Sequence, residues 1–453
     1  MDQVIRAIDQ EADTAAERLM EWLRIPSVST DSARAKDVRA AGEFVLDELR
    51  TAGFEARMTD TPGHPVVTAE WLGAPGAPTV LIYGHYDVQP PEPLDLWRHG
   101  PFEPTIEGRN LVARGATDDK GQAYALVRGV ATYLRVAGKL PVNVKFLLEG
   151  EEEIGSPNLT PFIQSHRDAL SADIAVISDC SQFGPGVPAI TVGLKGLCYV
   201  EIRVDGPNRD LHSGSFGGAV ANPGNALCWM IGQLRDAEGR VTIPGFYDDV
   251  VELTPADRES MAALPFDEEH FRRDLGVDEL VGEAGYTTVE RKGARPTLDV
   301  NGLLCGFTGE GAKTVLPSHA MAKFSMRLVP DQSSARIAAL VTKHLEGLCP
   351  AGCRVRVNVH HGAEPILVPF QSDFMKAAHR AVAKGFGKEP VYMREGGSIP
   401  VVSTMKNELG IDTILLGLGL PDDNAHSPNE KFDLDDFQRG IRTMAYLMDE
   451  LAG

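Results

Sequence analysis

Short apolar segments that alternate with helical patterns constrain the fold of this chain more than any other feature. Such segments lie at residues 79–83, 142–148 and 173–178, and apolar residues at helical spacing occupy residues 120–136. Continuous apolar runs of this length are typical of strands that are covered on both faces. Strands that alternate with helices predict an α/β domain with a helix-covered sheet.

The pattern changes after Gly193. Residues 197–204 alternate between apolar and polar, as expected of a strand with one exposed face. The following pattern predicts strand, helix, strand, strand, helix and strand, the order of a ferredoxin-like α+β unit. After residue 366 the first pattern resumes, so we predict that the second domain is inserted into the first. The predicted boundaries are 1–193 and 367–453 for the first domain and 194–366 for the inserted one.

Composition excludes several classes of protein. The 453 residues include 64 acidic and 44 basic side chains, a formal charge of −20, and 43% are hydrophobic. This apolar content is sufficient for a large core, so a mainly disordered chain is excluded. The acidic balance argues against nucleic acid and anionic membrane surfaces as partners, because both require a basic surface.

The sequence also predicts a cytoplasmic location. No apolar run reaches the roughly 18 residues that span a bilayer, and the N-terminus lacks a secretory signal pattern. The six cysteines are sparse and scattered, which favours reduced thiols over a disulfide framework. We therefore expect a soluble protein of the cytoplasm.

Five short segments combine histidine or acidic residues with strand ends or glycine-rich loops. They are GHYDVQP (84–90), GATDDKG (115–121), EGEEEIG (149–155), ISDC (177–180) and NAHSPN (424–429). In an open α/β sheet the carboxyl ends of the strands share one edge, where ligands bind. We therefore expect the following side chains to converge: His85, Asp118, Glu153, Asp179 and His426.

Two histidines and three carboxylates suit Zn, Mn or Co, and one carboxylate could bridge two metals. Asp87 can orient the His85 ring, and Glu152 can take a proton from water. Taken singly, a histidine after a strand is more often a satisfied polar group, and an acidic run such as 151–153 is more often solvated surface. The occurrence of all five segments together favours the metal site.

With these motifs in order, the chain resembles the M20 family of metallopeptidases, most closely its cytosolic non-specific dipeptidase (carnosine dipeptidase-like) branch. The matching motifs are GHYDVQP, GATDDKG, EGEEEIGS, ISD, DLHSG, KTVLPS, FSMRLVP, REGGSIP and AHSPNE. The resemblance covers essentially the whole chain. It implies an α/β catalytic domain with a mixed, helix-covered sheet and an inserted ferredoxin-like α+β lid and dimerisation domain. It also implies a homodimer and two divalent metal ions, Zn or Mn.

The resemblance also implies individual roles at the metal site. One metal would be bound by His85 and Asp179 and the other by Glu153 and His426, with Asp118 bridging both. Glu152 would be the general base, Asp87 would orient His85, and the Asp118–Asp119 peptide bond would be cis. A register shifted by one residue would instead make Glu151 the base and Glu152 the ligand.

Further implied roles lie in the inserted domain and in the loop before residue 400. His212 would reach the active site of the partner subunit and stabilise the oxyanion, and Arg327 would bind the C-terminal carboxylate of the substrate. Other matched substrate-binding positions are Thr314, His361, Gly397 and Ser398.

The function implied is hydrolysis of dipeptides, with Glu152 as general base on a metal-bridging water and a small peptide as substrate. One alternative on the same fold is an N-acyl amino acid deacylase of the acetylornithine or succinyl-diaminopimelate type. A more distant alternative is a binding protein without catalytic activity. The intact set of matched site residues argues against that alternative.

Overall fold

The chain divides into two compact units. The computed structural model describes residues 1–397 and 399–453, except for the side chain of His361. The first unit comprises Met1–Val192, Val368–Met393 and Pro400–Gly453, and the second comprises Gly193–Leu367 and Arg394–Ile399. Both ends of the chain therefore contribute to the first unit.

Fifteen helices and eighteen strands are found in the described residues. The helices are α1 (Asp2–Gln10), α2 (Ala12–Leu23), α3 (Ala35–Thr51), α4 (Lys120–Ala137), α5 (Leu159–Ser165), α6 (Arg167–Leu170), α7 (Ser213–Phe216), α8 (Pro223–Gly232), α9 (Pro255–Ala262), α10 (Glu268–Asp274), α11 (Thr288–Ala294), α12 (Ser334–Leu348), α13 (Asp373–Phe386), α14 (Pro400–Leu409) and α15 (Leu434–Leu451). The strands are β1 (Glu55–Thr59), β2 (Val66–Trp71), β3 (Thr79–His85), β4 (Thr105–Glu107), β5 (Asn110–Val112), β6 (Asn143–Glu149), β7 (Ile174–Ser181), β8 (Ala189–Leu194), β9 (Gly196–Asp205), β10 (Leu211–His212), β11 (Thr297–Cys305), β12 (Val315–Leu316), β13 (His319–Leu328), β14 (Arg354–Ala363), β15 (Ile366–Leu367), β16 (Val391–Glu395), β17 (Asp412–Gly419) and β18 (Lys431–Asp433).

The main sheet of the first unit is mixed, as predicted. Its strand order is β1-β2-β6-β3-β7-β17-β8, and the four central strands β6, β3, β7 and β17 are parallel. Every residue of β6 is buried, as expected of a strand covered on both faces. The carboxyl ends of the four parallel strands consequently lie along one edge of the sheet.

The contact between two helices of the first unit requires a glycine. Fourteen residues of α4 are buried, and α4 packs on the C-terminal helix α15. A Cβ atom at Gly129 would lie 2.7 Å from the carbonyl oxygen of Ile441. The two helices approach this closely because position 129 carries no side chain.

The second unit contains the predicted ferredoxin-like arrangement. Its antiparallel sheet has the order β11-β13-β9-β14, and α8 and α12 pack on one face. In β9 the residues Cys198, Val200, Ile202 and Val204 are buried, as their alternation predicts. The side chains between them lie on the opposite, less buried face.

An additional helical segment, α9 to α11, precedes β11 and was not identified from the sequence. Capping boxes begin two of its helices, at Thr254 and at Thr287. Arg295 donates through Nε and Nη2 to the carboxylate of buried Glu283, each at 2.8 Å. This bidentate pair attaches the segment to the start of β11.

Among the residues that the structure describes, no helix has both the length and the apolar character needed to cross a membrane.

Candidate metal centre

The carboxyl edge of the parallel strands carries most of the predicted ligands. His85 is the last residue of β3, and Asp179 lies two residues before the end of β7. Glu152 and Glu153 lie in a short 3₁₀ turn that follows β6. This edge is where ligands bind in open α/β sheets, so the strand order itself brings distant residues together.

Two groups of possible metal ligands share one carboxylate. The first consists of His85, Asp118 and Asp179, and the second of Asp118, Glu153 and His426; within each group the ligand atoms lie within 4.8 Å of one another. Asp118 directs Oδ1 toward His85 Nε2 at 3.2 Å and Oδ2 toward His426 Nε2 at 2.9 Å. Its two oxygens therefore face different groups, as a bridging carboxylate requires.

The hydrogen bonds of His85 leave one ring nitrogen available for a metal. Its Nδ1 lies 3.1 Å from the backbone oxygen of Asp87 and 3.4 Å from the Asp87 carboxylate, so Nδ1–H is the donor. The buried Nε2 has no hydrogen bond of acceptable geometry to any described residue, and neither does the buried Oε1 of Glu153. Buried polar atoms seldom lack partners, and these two fit a cation.

Asp87 also organises the turn that follows β6. Its carboxylate accepts hydrogen bonds from the backbone N–H of Glu152 at 3.2 Å and of Glu153 at 3.1 Å. Sequence reasoning assigned to Asp87 only the orientation of His85. In the structure the buried Asp87 carboxylate contacts both His85, a candidate metal ligand, and the turn that carries the candidate base.

The placement of the three consecutive glutamates agrees with the favoured register. Glu151 accepts hydrogen bonds from the backbone N–H of His64 at 2.8 Å and of Asn158 at 3.2 Å. Glu153 instead lies 3.4 Å from His426 Nε2 and accepts a bond from Gln89 at 2.7 Å. The carboxylate of Glu151 is therefore occupied in holding two loops.

The pKa values of two carboxyl groups in the centre are raised. Burial raises the pKa of Glu152 to about 8; the nearby His85 opposes this shift, whereas Glu153 and Asp118 add to it. Burial also raises the pKa of Asp179 well above its ordinary value. A divalent cation would favour the ionised form of each carboxylate.

For Asp118 and His426 the charged form is favoured instead, because the pKa of Asp118 falls whereas that of His426 rises. Burial opposes ionisation of Asp118, but contacts with His426 and His85 lower its pKa below the usual range. Hydrogen bonds with Asp118 and Glu153 raise the pKa of His426 to about 10. These shifts show that the contacts among Asp118, His85 and His426 favour a negative charge on Asp118.

Glu430 is a residue of the centre that sequence reasoning missed. This buried carboxylate accepts bonds from Arg114 Nη1 at 2.7 Å and from the backbone N–H of Gly115, Thr117 and Asp118 at 3.0, 2.9 and 3.0 Å. It thereby fixes the loop that carries Asp118. The sequence did contain a signal for this residue, since Glu430 is the last residue of the matched AHSPNE motif.

The backbone at Asp118 has the predicted form. The peptide bond between Asp118 and Asp119 is cis. Asp119 is buried, and its Oδ2 accepts a hydrogen bond from the backbone N–H of His85 at 3.1 Å. This contact connects the Asp118 loop to the end of β3.

The remaining predicted site residues belong to the second unit. His212 is exposed in β10, opposite Val315 of β12, and the adjacent Ser213 N–H donates to the carbonyl of Thr314 at 3.0 Å. The structure thus brings His212 and Thr314 together. Arg327 lies in β13 opposite Leu197 of β9, on the less buried face of that sheet.

The three remaining predicted substrate-binding positions are Gly397, Ser398 and His361. Gly397 is exposed in the bend after β16. Ser398 and the side chain of His361 lie outside the described residues. Their predicted roles therefore stay predictions.

A sheet edge with two ligand groups around a shared aspartate defines a metallohydrolase-type centre. The chain belongs to the peptidase family M20/M25/M40, whose family model matches residues 81–450. This finding confirms the resemblance inferred from the motifs.

Individual relatives cover the chain almost completely. It is 34% identical to the Cys-Gly metallodipeptidase dug1 of Schizosaccharomyces pombe, over 100% of this chain and 98% of the relative. It is 31% identical to the human Beta-Ala-His dipeptidase, over 100% of this chain and 93% of that relative. A solved structure of the dipeptidase Dug1p from Saccharomyces cerevisiae superimposes with a TM-score of 0.89 at 31% identity, covering 100% of this chain and 98% of the other.

Replacing Glu430 with glutamine is expected to weaken divalent metal binding by about 10- to 100-fold, because the amide cannot accept all the backbone N–H groups that hold the Asp118 loop. Metal affinity would be measured by chelator competition with Mn²⁺, and folding by thermal unfolding. Glu107→Gln, at an exposed ion pair with Arg98, is the control and should leave affinity unchanged. Unaltered affinity in a folded Glu430→Gln protein would contradict this positioning role.

Proposed function

We propose that this protein is a metal-dependent dipeptidase that hydrolyses the single peptide bond of a small peptide. The observation that carries the proposal is the shared carboxylate of Asp118, whose two oxygens face His85 and His426. Family membership and the dipeptidase relatives support the same activity.

The proposed metal complement is two divalent ions, zinc or manganese. His85 and Asp179 would hold one ion, Glu153 and His426 the other, and Asp118 would contact both. Imidazole nitrogen and carboxylate oxygen are ligands that both metals accept. When bound, the ions supply Lewis-acid activation of a water molecule and of the scissile carbonyl.

In this proposal Glu152 transfers the proton. It takes a proton from the attacking water and delivers it to the leaving amine, so the carboxylate is regenerated at the end of each cycle. Its position is supported by Asp87, which accepts the backbone N–H groups of residues 152 and 153. The fixed turn keeps the base at one distance from the ligands.

The proposed substrate contacts come from the second unit. Arg327 would bind the C-terminal carboxylate, because a guanidinium pairs bidentately with it. His212 would donate a hydrogen bond to the oxyanion in the active site of a partner subunit, and Thr314 would contact the substrate beside it. We propose lesser substrate contacts at His361, Gly397 and Ser398.

A homodimer is proposed with these contacts. Strand β11 lies at the edge of the four-stranded sheet, where its backbone is open to pairing on one side. Val300, Leu303 and Leu304 on this strand are exposed. Apolar side chains on an open edge favour association with another chain.

A cytoplasmic location is also proposed. None of the six cysteines, all of which the structure describes, forms a disulfide, and the two most buried are Cys180 and Cys198. Reduced thiols without disulfides are typical of proteins in reducing compartments.

The activity can be tested with a substrate panel. The metal-free protein, reconstituted with Zn²⁺ or Mn²⁺, is expected to hydrolyse unblocked dipeptides, to lose activity with chelator and to regain it with either ion. N-acetyl and N-succinyl amino acids are the matched comparison, with products identified by mass spectrometry. Faster release of the acyl group than of amino acids from dipeptides would refute the dipeptidase assignment.

The base can be tested by two adjacent substitutions. Glu152→Gln is expected to lower kcat by about a thousandfold while metal content is retained, because proton transfer is lost without a change in the ligands. Glu151→Gln is the matched control and should retain most of the turnover, since its carboxylate bonds to the loops at His64 and Asn158. The reverse result would favour the shifted register.

The shared site can be tested by mixing two inactive variants. His212→Ala and Glu152→Gln subunits, each inactive alone, are expected to give roughly a quarter of wild-type activity after equal mixing and subunit exchange. Half of the dimers would then be mixed, and each mixed dimer would have one complete site. Native mass spectrometry would verify exchange, and exchanged but inactive dimers would rule out action of His212 in trans.

A further inference from the structure

A cavity of about 770 Å³ opens at one end of the four-stranded sheet, within the second unit. Among its lining residues are Arg203, Arg354 and Arg356, together with Ser318 and His319. It contains none of the proposed metal ligands or substrate contacts. Its volume falls within the roughly 300–1,000 Å³ of small-molecule sites.

Strand register explains why these basic side chains converge. Asp205 at the end of β9 pairs with His319 of β13 on one side and with Arg354 of β14 on the other. Two residues earlier, Arg203 pairs with Arg356. Residues two apart point to the same face of a strand, so all five side chains share the face opposite α8 and α12.

The cluster keeps an excess of positive charge. Asp205 accepts hydrogen bonds from Arg203 Nε at 2.9 Å and from Arg356 Nη2 at 2.6 Å. Partial burial opposes the shift, but these bonds lower the pKa of Asp205, so it is ionised. Three guanidinium groups and one carboxylate leave two positive charges, even with His319 neutral, in a chain of net charge −20.

Donors in the cavity remain available for a ligand. Arg354 makes no ion pair or hydrogen bond with any residue that the structure describes, and it is exposed. Arg203 and Arg356 each use one nitrogen for Asp205, and a guanidinium has five N–H donors. The Asn208 amide lines the same cavity, as does the Ser318 hydroxyl, which lies 3.3 Å from His319 Nδ1.

We propose that this cavity binds a small soluble molecule through a phosphate group. Arginine forks match the oxygens of phosphate, and three of them around one cavity provide more donors than Asp205 can accept. The cavity has room beyond a lone phosphate, which favours a phosphorylated organic molecule as the ligand. The proposal is independent of the proposed peptidase activity.

Binding would be measured by titration calorimetry on the metal-loaded full chain, with inorganic phosphate and glycerol 3-phosphate as probes and chloride at matched ionic strength as the blank. Arg354→Gln is expected to weaken binding by about tenfold, the effect of one charge-assisted hydrogen bond. Arg6→Gln, which removes an exposed charge from α1, is the matched control and should leave affinity unchanged. Tighter binding of glycerol 3-phosphate than of inorganic phosphate would support an organic ligand.

Cysteine alkylation would locate the binding independently. Cys349 lines the cavity, whereas Cys228 is exposed elsewhere in the second unit. Phosphate probes are expected to slow alkylation of Cys349 by severalfold and to leave the rate at Cys228 unchanged. Equal rates with and without the probes at Cys349, or equal weakening by Arg6→Gln and Arg354→Gln, would overturn the proposal.

Discussion

The gathering of partly buried carboxylates at one sheet edge is the constraint to which the rest of the first unit responds. Asp118, Glu152, Glu153 and Asp179 lie close enough for their charges to repel, and burial removes the water that would screen them. Only His85 and His426 provide compensating charge in the two ligand groups. A centre of this kind is well suited to divalent cations and poorly suited to remain without them.

Further acidic residues hold this arrangement in place through the backbone. Asp87, Asp119 and Glu430 all accept backbone N–H groups from segments that carry candidate ligands or the candidate base. Their bonds are made to the peptide groups beside the ligands, so they fix loop positions. Without these hydrogen bonds the loops would be held less firmly. Catalysis depends on accurate placement of the groups that they carry.

Much of this architecture could be predicted from the sequence, since apolar strands and periodic helices are local signals. The ends of β3, β6 and β7 identify His85, Glu153 and Asp179 because each strand ends at a polar segment. The bond between Glu430 and the Asp118 loop joins residues 312 positions apart, and no local pattern shows it. The second contact of Asp87 was missed for a similar reason, because it depends on how two loops meet.

The discontinuous first unit has a consequence for synthesis of the protein. Asp179 leaves the ribosome 247 residues before His426, which is roughly 12–50 s at ordinary elongation rates of about 5–20 residues per second. During this interval the early ligands exist without the histidine of the second group and without Glu430. In the proposed two-metal site, full metal loading would therefore follow synthesis of nearly the whole chain, and chains interrupted within the second unit would lack His426 and Glu430.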